Sequence, residues 1–324
     1  MKNVLKFLMY AMVIIAVIVI GALAYIQWGF PKVEEAPEMV VEGSPELISR
    51  GEYLAHHVML CMDCHAERDF SLYAGPPIPE TLGAGGERFD RSMGFPGVFF
   101  SANITPAGIG DYTDGELFRL ITTGVKNDGE PIFPVMPYQN YGRMDEEDIK
   151  AVIAYIRTLK PVQKEHPKSE VDFPVNFILR TMPSPADPQT RPEEKDIIKY
   201  GEYLVNAAAC GDCHTKFEKG EFTGPFLAGG REFMFPNGTV IRTPNLTKDK
   251  TGLGNWSKQQ FVARFKSYDP ATYKPNKINQ GEFQTIMPWI MYAGMKESDL
   301  GAIYDYLMSL EPVENEVLRV SFAE

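Results

Sequence analysis

Two tandem helix-bearing domains behind a single apolar N-terminal helix are the architecture this 324-residue sequence predicts. Three observations carry it. The stretch from Leu5 to Ile26 is apolar apart from Lys6. The run Cys61-Met62-Asp63-Cys64-His65 returns as Cys210-Gly211-Asp212-Cys213-His214. Around each copy the same short markers recur in the same order, the signature of an internal repeat.

An apolar stretch of that length can span a bilayer as a helix at about 1.5 Å per residue. Lys2 and Lys6 keep the N-terminus on the cytoplasmic side, and Trp28 suits the far interface. A cleaved signal peptide is the alternative, with Ala22-Leu23-Ala24 as its small-residue site. Residues 1–27 are therefore read as anchor or signal peptide and 28–43 as a polar, proline-bearing tether. On either reading the remainder is exported, which for the anchor means domains on the periplasmic side of a bacterial cytoplasmic membrane.

The repeat defines the rest. Gly51-Glu52-Tyr53-Leu54 precedes the first cysteine motif and Gly201-Glu202-Tyr203-Leu204 the second. Downstream, Gly85-Gly86 answers Gly229-Gly230, Asn103-Ile104-Thr105 answers Asn245-Leu246-Thr247, and Gly108-Ile109-Gly110-Asp111-Tyr112 answers Gly252-Leu253-Gly254-Asn255-Trp256. Short helices are expected over Asp114–Ile121 and Ser257–Lys266. Closing helices follow from Met144 and from Met295, their apolar positions at helical spacing and prolines beyond their ends. Ser44-Pro45-Glu46 and Arg191-Pro192-Glu193-Glu194 read as helix starts. The predicted units are 44–162 and 192–313, joined by a proline-rich linker over 163–191 and ended by a tail, 314–324. The linker should lie along a domain surface, because Phe173, Phe177, Ile178 and Leu179 sit within it.

A hydrophobic fraction of 44% is that of a globular chain. The net charge of −11 argues against nucleic acid, which needs clustered Lys and Arg. Residues 44–162 hold ten basic against seventeen acidic side chains, residues 192–313 fourteen against fifteen. The first unit is thus expected to meet a partner with a basic docking patch.

C-x-x-C-H reads as a c-type haem attachment site. One helical turn carries both sulfurs along an edge, and the histidine just beyond turns its imidazole onto the iron. Zinc knuckles and a thioredoxin-like pair share the C-x-x-C element. An exported chain disfavours a reduced zinc site, and four cysteines staple little in a chain this long. The expectation is two haem c groups, held by Cys61 and Cys64 and by Cys210 and Cys213, with His65 and His214 as axial ligands. The second axial ligand is read from Met136-Pro137 and Met287-Pro288, which follow those histidines by 71 and 73 residues. A thioether is a soft neutral ligand that raises the reduction potential. Met144 and Met295, and Met93 and Met234, also match in position, and read instead as filler among 15 methionines. His56 and His57 read as surface or interfacial, and His166 as solvent-facing.

The order G-E-Y-L, C-x-x-C-H, G-G, N-[IL]-T, G-[IL]-G-x-[YW], M-P-[YW] and a closing helix resembles class I cytochrome c domains over about residues 44–162 and 192–313. More narrowly it resembles the cytochrome c subunits of membrane-bound alcohol, aldehyde and sugar dehydrogenases. Those carry three haems, whereas two attachment runs occur here. The resemblance implies an all-α fold: two tandem cytochrome c domains with long loops, preceded by one N-terminal transmembrane helix. It also implies that Gly51 and Gly201 let the first helix approach Tyr155 and Tyr304 of the closing helices, and that Tyr112 and Trp256 donate to haem propionates or simply pack. Two six-coordinate irons leave no place for substrate. The expected role is therefore relay of single electrons between respiratory partners, among them a membrane respiratory or dehydrogenase complex, rather than catalysis. A dihaem enzyme of peroxidase or thiosulfate-oxidising type, or a structural haem subunit of a larger respiratory complex, is the alternative.

Overall fold

A computed structural model describes residues 2–279 and 281–322. Lys2–Gly29 is one continuous helix, α1, with no buried residue and a most apolar window of mean hydropathy 2.8. Its length and composition suffice to cross a bilayer.

The first repeat opens where the sequence places it. Ser44 Oγ accepts from the Leu47 amide at 3.2 Å and Pro45 takes the first helical position of α2 (Pro45–Tyr53). That helix runs on into a wider π-type turn, Leu54–Val58. Helix α3 (Asp114–Thr123) begins with a capping box of Thr113 and Glu116. Helix α4 (Glu146–Arg157) is capped by Asp145, whose side chain accepts from the Glu147 amide. In the second repeat α5 (Ile197–Ala207) begins five residues beyond Pro192, from Asp196, which makes no side-chain cap. Helix α6 (Lys258–Lys266) repeats the capping box with Ser257 and Gln260. Helix α7 (Glu297–Ser309) starts from Lys296, which has no acceptor to offer, so its start is uncapped.

In each repeat the first long helix lies against the closing one, α2 against α4 and α5 against α7. The approach is between backbones. A Cβ placed on Gly51 would fall 1.9 Å from the Ala151 carbonyl oxygen and 2.8 Å from Tyr155 Cβ. On Gly201 it would fall 2.1 Å from Ala302 O and 2.9 Å from Tyr306 Cβ. The tyrosine that matches Tyr155 is therefore Tyr306. Tyr304 points elsewhere, its hydroxyl donating to the Trp256 carbonyl at 2.5 Å.

The expectation of an all-α chain does not hold. Among the described residues, eight short strands form three antiparallel sheets. The first pairs β1 (Arg88–Phe89) with β2 (Gly97–Phe100) and β3 (Glu170–Val171). A two-stranded ribbon joins β4 (Phe217–Glu218) and β5 (Glu221–Phe222). The last joins β6 (Glu232–Met234), β7 (Val240–Arg242) and β8 (Val320–Ser321). The physical reason lies in the long glycine-rich loops, whose peptide groups need partners once they fold over a core. Each loop forms a hairpin, and the chain that follows the closing helix returns as its third strand. The linker and the tail are thus ordered, not merely connecting.

The same return places His166. Its Nε2 lies 2.6 Å from the Ala84 carbonyl oxygen and its ring against Gly86, so it is half-buried rather than solvent-facing. Asn103 Nδ2 donates to Val162 O at 2.8 Å, and the Asp187 amide to Gly142 O at 2.9 Å. The linker follows the first repeat along its length.

Gly51→Ala and Gly201→Ala should each force their helix pair apart, because the obstructing atoms are backbone. Overpacking of this kind costs about 1–3 kcal/mol. Thermal unfolding of the haem-loaded chain should show lower midpoints for both variants, while Gly301→Ala, within α7 with only Lys258 Cδ at 3.6 Å, serves as the comparison for a helical glycine in ordinary contact.

Candidate haem-binding sites

Both cysteine motifs are built as one helical turn launched from a left-handed residue. Leu60 (φ 58°) precedes Cys61 and Ala209 (φ 49°) precedes Cys210. Such a conformation is unfavourable for an L-residue and has to be held by its surroundings. The holding group is the same in both halves. Tyr141 donates its hydroxyl to Met59 O at 2.7 Å, and Tyr292 donates to Ala208 O at 2.8 Å. These tyrosines stand five residues after Met136 and Met287. The sequence signal was M-P-[YW]-x-x-Y, one helical turn longer than the motif singled out.

The histidines are fixed by backbone carbonyls. His65 Nδ1 lies 2.7 Å from Ala102 O, and His214 Nδ1 lies 3.0 Å from Pro244 O. The glycine loop closes back on them, since the Gly85 amide donates to His65 O and the Gly229 amide to His214 O. Burial pushes the pKa of both rings down, that of His214 to about 4. Neutral rings whose Nδ1–H donates to a carbonyl carry their lone pair on Nε2, the arrangement a ligating imidazole needs. Burial likewise pushes Cys61, Cys64 and Cys210 up to about 12, keeping them neutral thiols. Within each motif the aspartate lies beside an arginine, Asp63 buried and Asp212 half-buried. Asp63 Oδ2 lies 3.3 Å from Arg68, and Arg231 donates to the Asp212 carbonyl.

Met136 and Met287 pack, half-buried, against the hydrophobic core. Each begins the same tight turn, in which the methionine carbonyl accepts from the amide two residues on at 2.8 Å (Tyr138 and Trp289). Met144 and Met295 are core filler at 1% exposure, and Met234 is exposed. Tyr138, the aromatic of the first M-P-[YW] run, is 1% exposed, and its hydroxyl has no hydrogen-bond partner among the described residues. Paired thiols, a neutral imidazole and, in each repeat, a half-buried thioether form a donor set that fits a c-type haem. Zinc fits less well: among the described residues no three His, Cys, Asp or Glu side chains gather as a metal ion would need.

Tyr112 and Trp256 are not equivalent. Tyr112 packs against the core, whereas Trp256 is 39% exposed and borders an open hollow of about 430 Å³ with Asn255, Gln260, Ala263, Arg264 and Ser267. His56 Nε2 lies 2.7 Å from the Tyr155 hydroxyl within its own repeat. His57 is interfacial, its Nδ1 2.8 Å from Met291 O of the other repeat.

The two sites are held in one arrangement by a reciprocal clasp. Tyr53 of α2 donates to Asp299 of α7 at 2.6 Å and accepts from the Lys296 amide at 3.0 Å. Tyr203 of α5 donates to Asp148 of α4 at 2.7 Å and accepts from the Asp145 amide at 3.3 Å. Corresponding residues thus exchange corresponding bonds. Asn140 and Asn206 add a second exchange, each amide donating to the other's carbonyl. Asp148 also receives Arg50 (2.8 Å) and Arg191 (2.7 Å), and its side chain is 2% exposed.

Burial alone would raise the Asp148 carboxyl, but Arg50, Tyr203 and Arg191 together hold it below its ordinary 3.8. A carboxyl depressed in the folded state stabilises fully above its unfolded value, and that contribution disappears as pH falls through the lower folded value. Asp148→Asn should therefore cost roughly 3–5 kcal/mol at neutral pH, by leaving Arg50 without its charge partner. The variant should also lose less stability than the parent on acidification below 3.8. Denaturant midpoints measured across that range check both.

Residues 198–311 match the family described as Cytochrome c. The chain is 30% identical over 282 residues to the fructose dehydrogenase cytochrome subunit of Gluconobacter japonicus, covering 81% of this chain and 52% of that one. It is 31% identical over 288 residues to the alcohol dehydrogenase (quinone) cytochrome c subunit of Gluconacetobacter polyoxogenes, covering 82% and 56%. A protein named diheme cytochrome c-type from Cereibacter sphaeroides is 29% identical over 195 residues, covering 54% and 62%. The chain spans about half the length of the dehydrogenase subunits it matches. Residues 198–311 thus belong to the cytochrome c family, and the chain as a whole is similar to cytochrome subunits over about four fifths of its length.

Proposed function

We propose that this protein is a membrane-anchored dihaem c-type cytochrome that relays single electrons between respiratory partners on the periplasmic side of the membrane. One observation carries the reading: the two attachment turns are built from the same parts and locked into one unit by the Tyr53–Asp299 and Tyr203–Asp148 clasp. A catalytic pair of haems calls for unlike sites. These are alike.

In this reading residues 44–162 and 192–313 are the two haem domains, each completed by its returning strand. Cys61 and Cys64, and Cys210 and Cys213, would each hold one haem c through thioethers. His65 and Met136 would hold the first iron, His214 and Met287 the second. Tyr112 and Trp256 would donate to the propionates or simply pack. Bound haem supplies a one-electron ferric/ferrous couple. The chain's own residues do the rest: the carbonyls of Ala102 and Pro244 orient the imidazoles, the methionines raise the potential, and the buried walls exclude water. The dehydrogenase names of the relatives support a dehydrogenase complex as one partner, and α1 supports anchoring with the N-terminus inside. The acidic surplus of residues 44–162 supports a basic docking partner there.

The purified chain should carry two haems by absorbance against protein mass. Met136→Ala and Met287→Ala should each turn one haem high-spin and leave the other low-spin, read by electron paramagnetic resonance. Both haems low-spin in either variant, or peroxide turnover by the parent, would refute the relay reading. Reversing the exposed pair Glu146 and Glu147 to lysine should slow reduction of a basic redox partner and flatten its salt dependence. Unchanged rates and salt slope would remove the docking assignment.

A further inference from the structure

We propose that the linker stretch Phe173–Thr181 is a second membrane contact, seated in the lipid headgroup region beside the end of α1. The proposal rests on reading α1 as the anchor.

The linker reaches the helix end directly. Its short turns Val175–Ile178 and Leu179–Thr181 both pack on α1, and Arg180 Nη2 donates to the Phe30 carbonyl at 3.0 Å. On this segment Phe173 is 79% exposed and Ile178 48% exposed, with Phe177 meeting Phe173 edge to face at 6.2 Å. Scattered exposed apolar side chains are ordinary, but here they sit together where a membrane-crossing helix ends.

The level of that end follows from the sequence. No charged residue lies between Lys6 and Lys32. A hydrocarbon core takes about 20 helical residues, which from Lys6 ends near Ile26. Trp28 (84% exposed), Phe30 and Lys32 then fall in the far interface, with Lys32 Nζ 3.3 Å from the Tyr25 hydroxyl and 4.8 Å from the Phe30 ring centre. Aromatic rings with basic groups are the composition of a membrane interface. Arg180, bonded to the Phe30 carbonyl, brings the linker to the same depth. The segment's own charges are already paired, Asp172 with Arg91 and Arg180 with Glu130. No bare acid there opposes an anionic lipid surface. A lipid interface accommodates Phe173 and Ile178 as water does not, and two points of attachment fix the tilt of the first haem domain on the bilayer.

The test uses the full haem-loaded chain in phosphatidylcholine–phosphatidylglycerol vesicles, with acyl chains plain or brominated. The ratio of tryptophan emission in the two lipids cancels quenching by haem. In the parent chain, loss of emission in brominated lipid that disappears with Trp28→Phe reports α1 in the bilayer. In the Trp28→Phe background, Trp256 and Trp289 give the baseline, to which Phe173→Trp and Ile178→Trp are added singly. The expected result is additional bromine-dependent loss from both variants, comparable with that of Trp28. No loss beyond baseline from either variant overturns the linker contact, whatever Trp28 reports. Loss at Trp28 alone leaves the anchor standing and removes the linker from the membrane. Loss at the linker positions alone removes the anchor and, with it, the assignment of the linker as a second contact beside α1.

Discussion

Each half of this molecule depends on two helices that meet backbone to backbone, at Gly51 over Ala151 and at Gly201 over Ala302. A helix turns about 100° per residue, so a side chain two positions on points to the opposite side. Gly51 therefore faces its own closing helix while Tyr53 faces the other repeat, and Gly201 and Tyr203 do the same. Leu54 and Leu204, one position further, are wholly buried in the core. The four-residue marker G-E-Y-L thus encodes both contacts of its helix. If the glycine contact widened, the tyrosine hydroxyls would no longer reach Asp299 and Asp148.

The attachment turns hang from the ends of these same helices. A strained left-handed residue starts each turn, and a tyrosine from the methionine loop secures the carbonyl just before it. The loop that carries the candidate thioether therefore also fixes the turn that carries the thiols and the imidazole. This coupling explains why the M-P-[YW]-x-x-Y pattern recurs entire, although only its first residue is a ligand candidate.

Much of this was legible in the sequence because the repeat supplies its own control. The cysteine motifs, the closing helices and the cap at Ser44 follow from local chemistry that a single stretch of chain contains. The two three-stranded sheets did not, since each is completed by a strand from far along the chain, Glu170–Val171 or Val320–Ser321, with no alternation long enough to read. The start of α5 is displaced because Pro192 looks like a first helical residue, whereas the chain makes a separate turn there, the Asp196 amide donating to Glu193 O, before the helix begins at Ile197. His166 was taken for a solvated side chain because only the folded linker reveals Ala84 beneath it. The clasp lay beyond reach for a similar reason. Its four residues are ordinary in isolation, and only their exchange across the two repeats gives them meaning.

A self-complementary contact in which corresponding residues trade corresponding bonds is the pattern by which two separate identical molecules pair. Here the partners share one chain, so their meeting does not depend on protein concentration. A linker of this kind replaces bulk concentration with a fixed local one, in the millimolar range for short tethers. Dilution that would separate a two-molecule assembly leaves this one whole. The spacing of the two attachment turns is then a property of the molecule, not of its abundance.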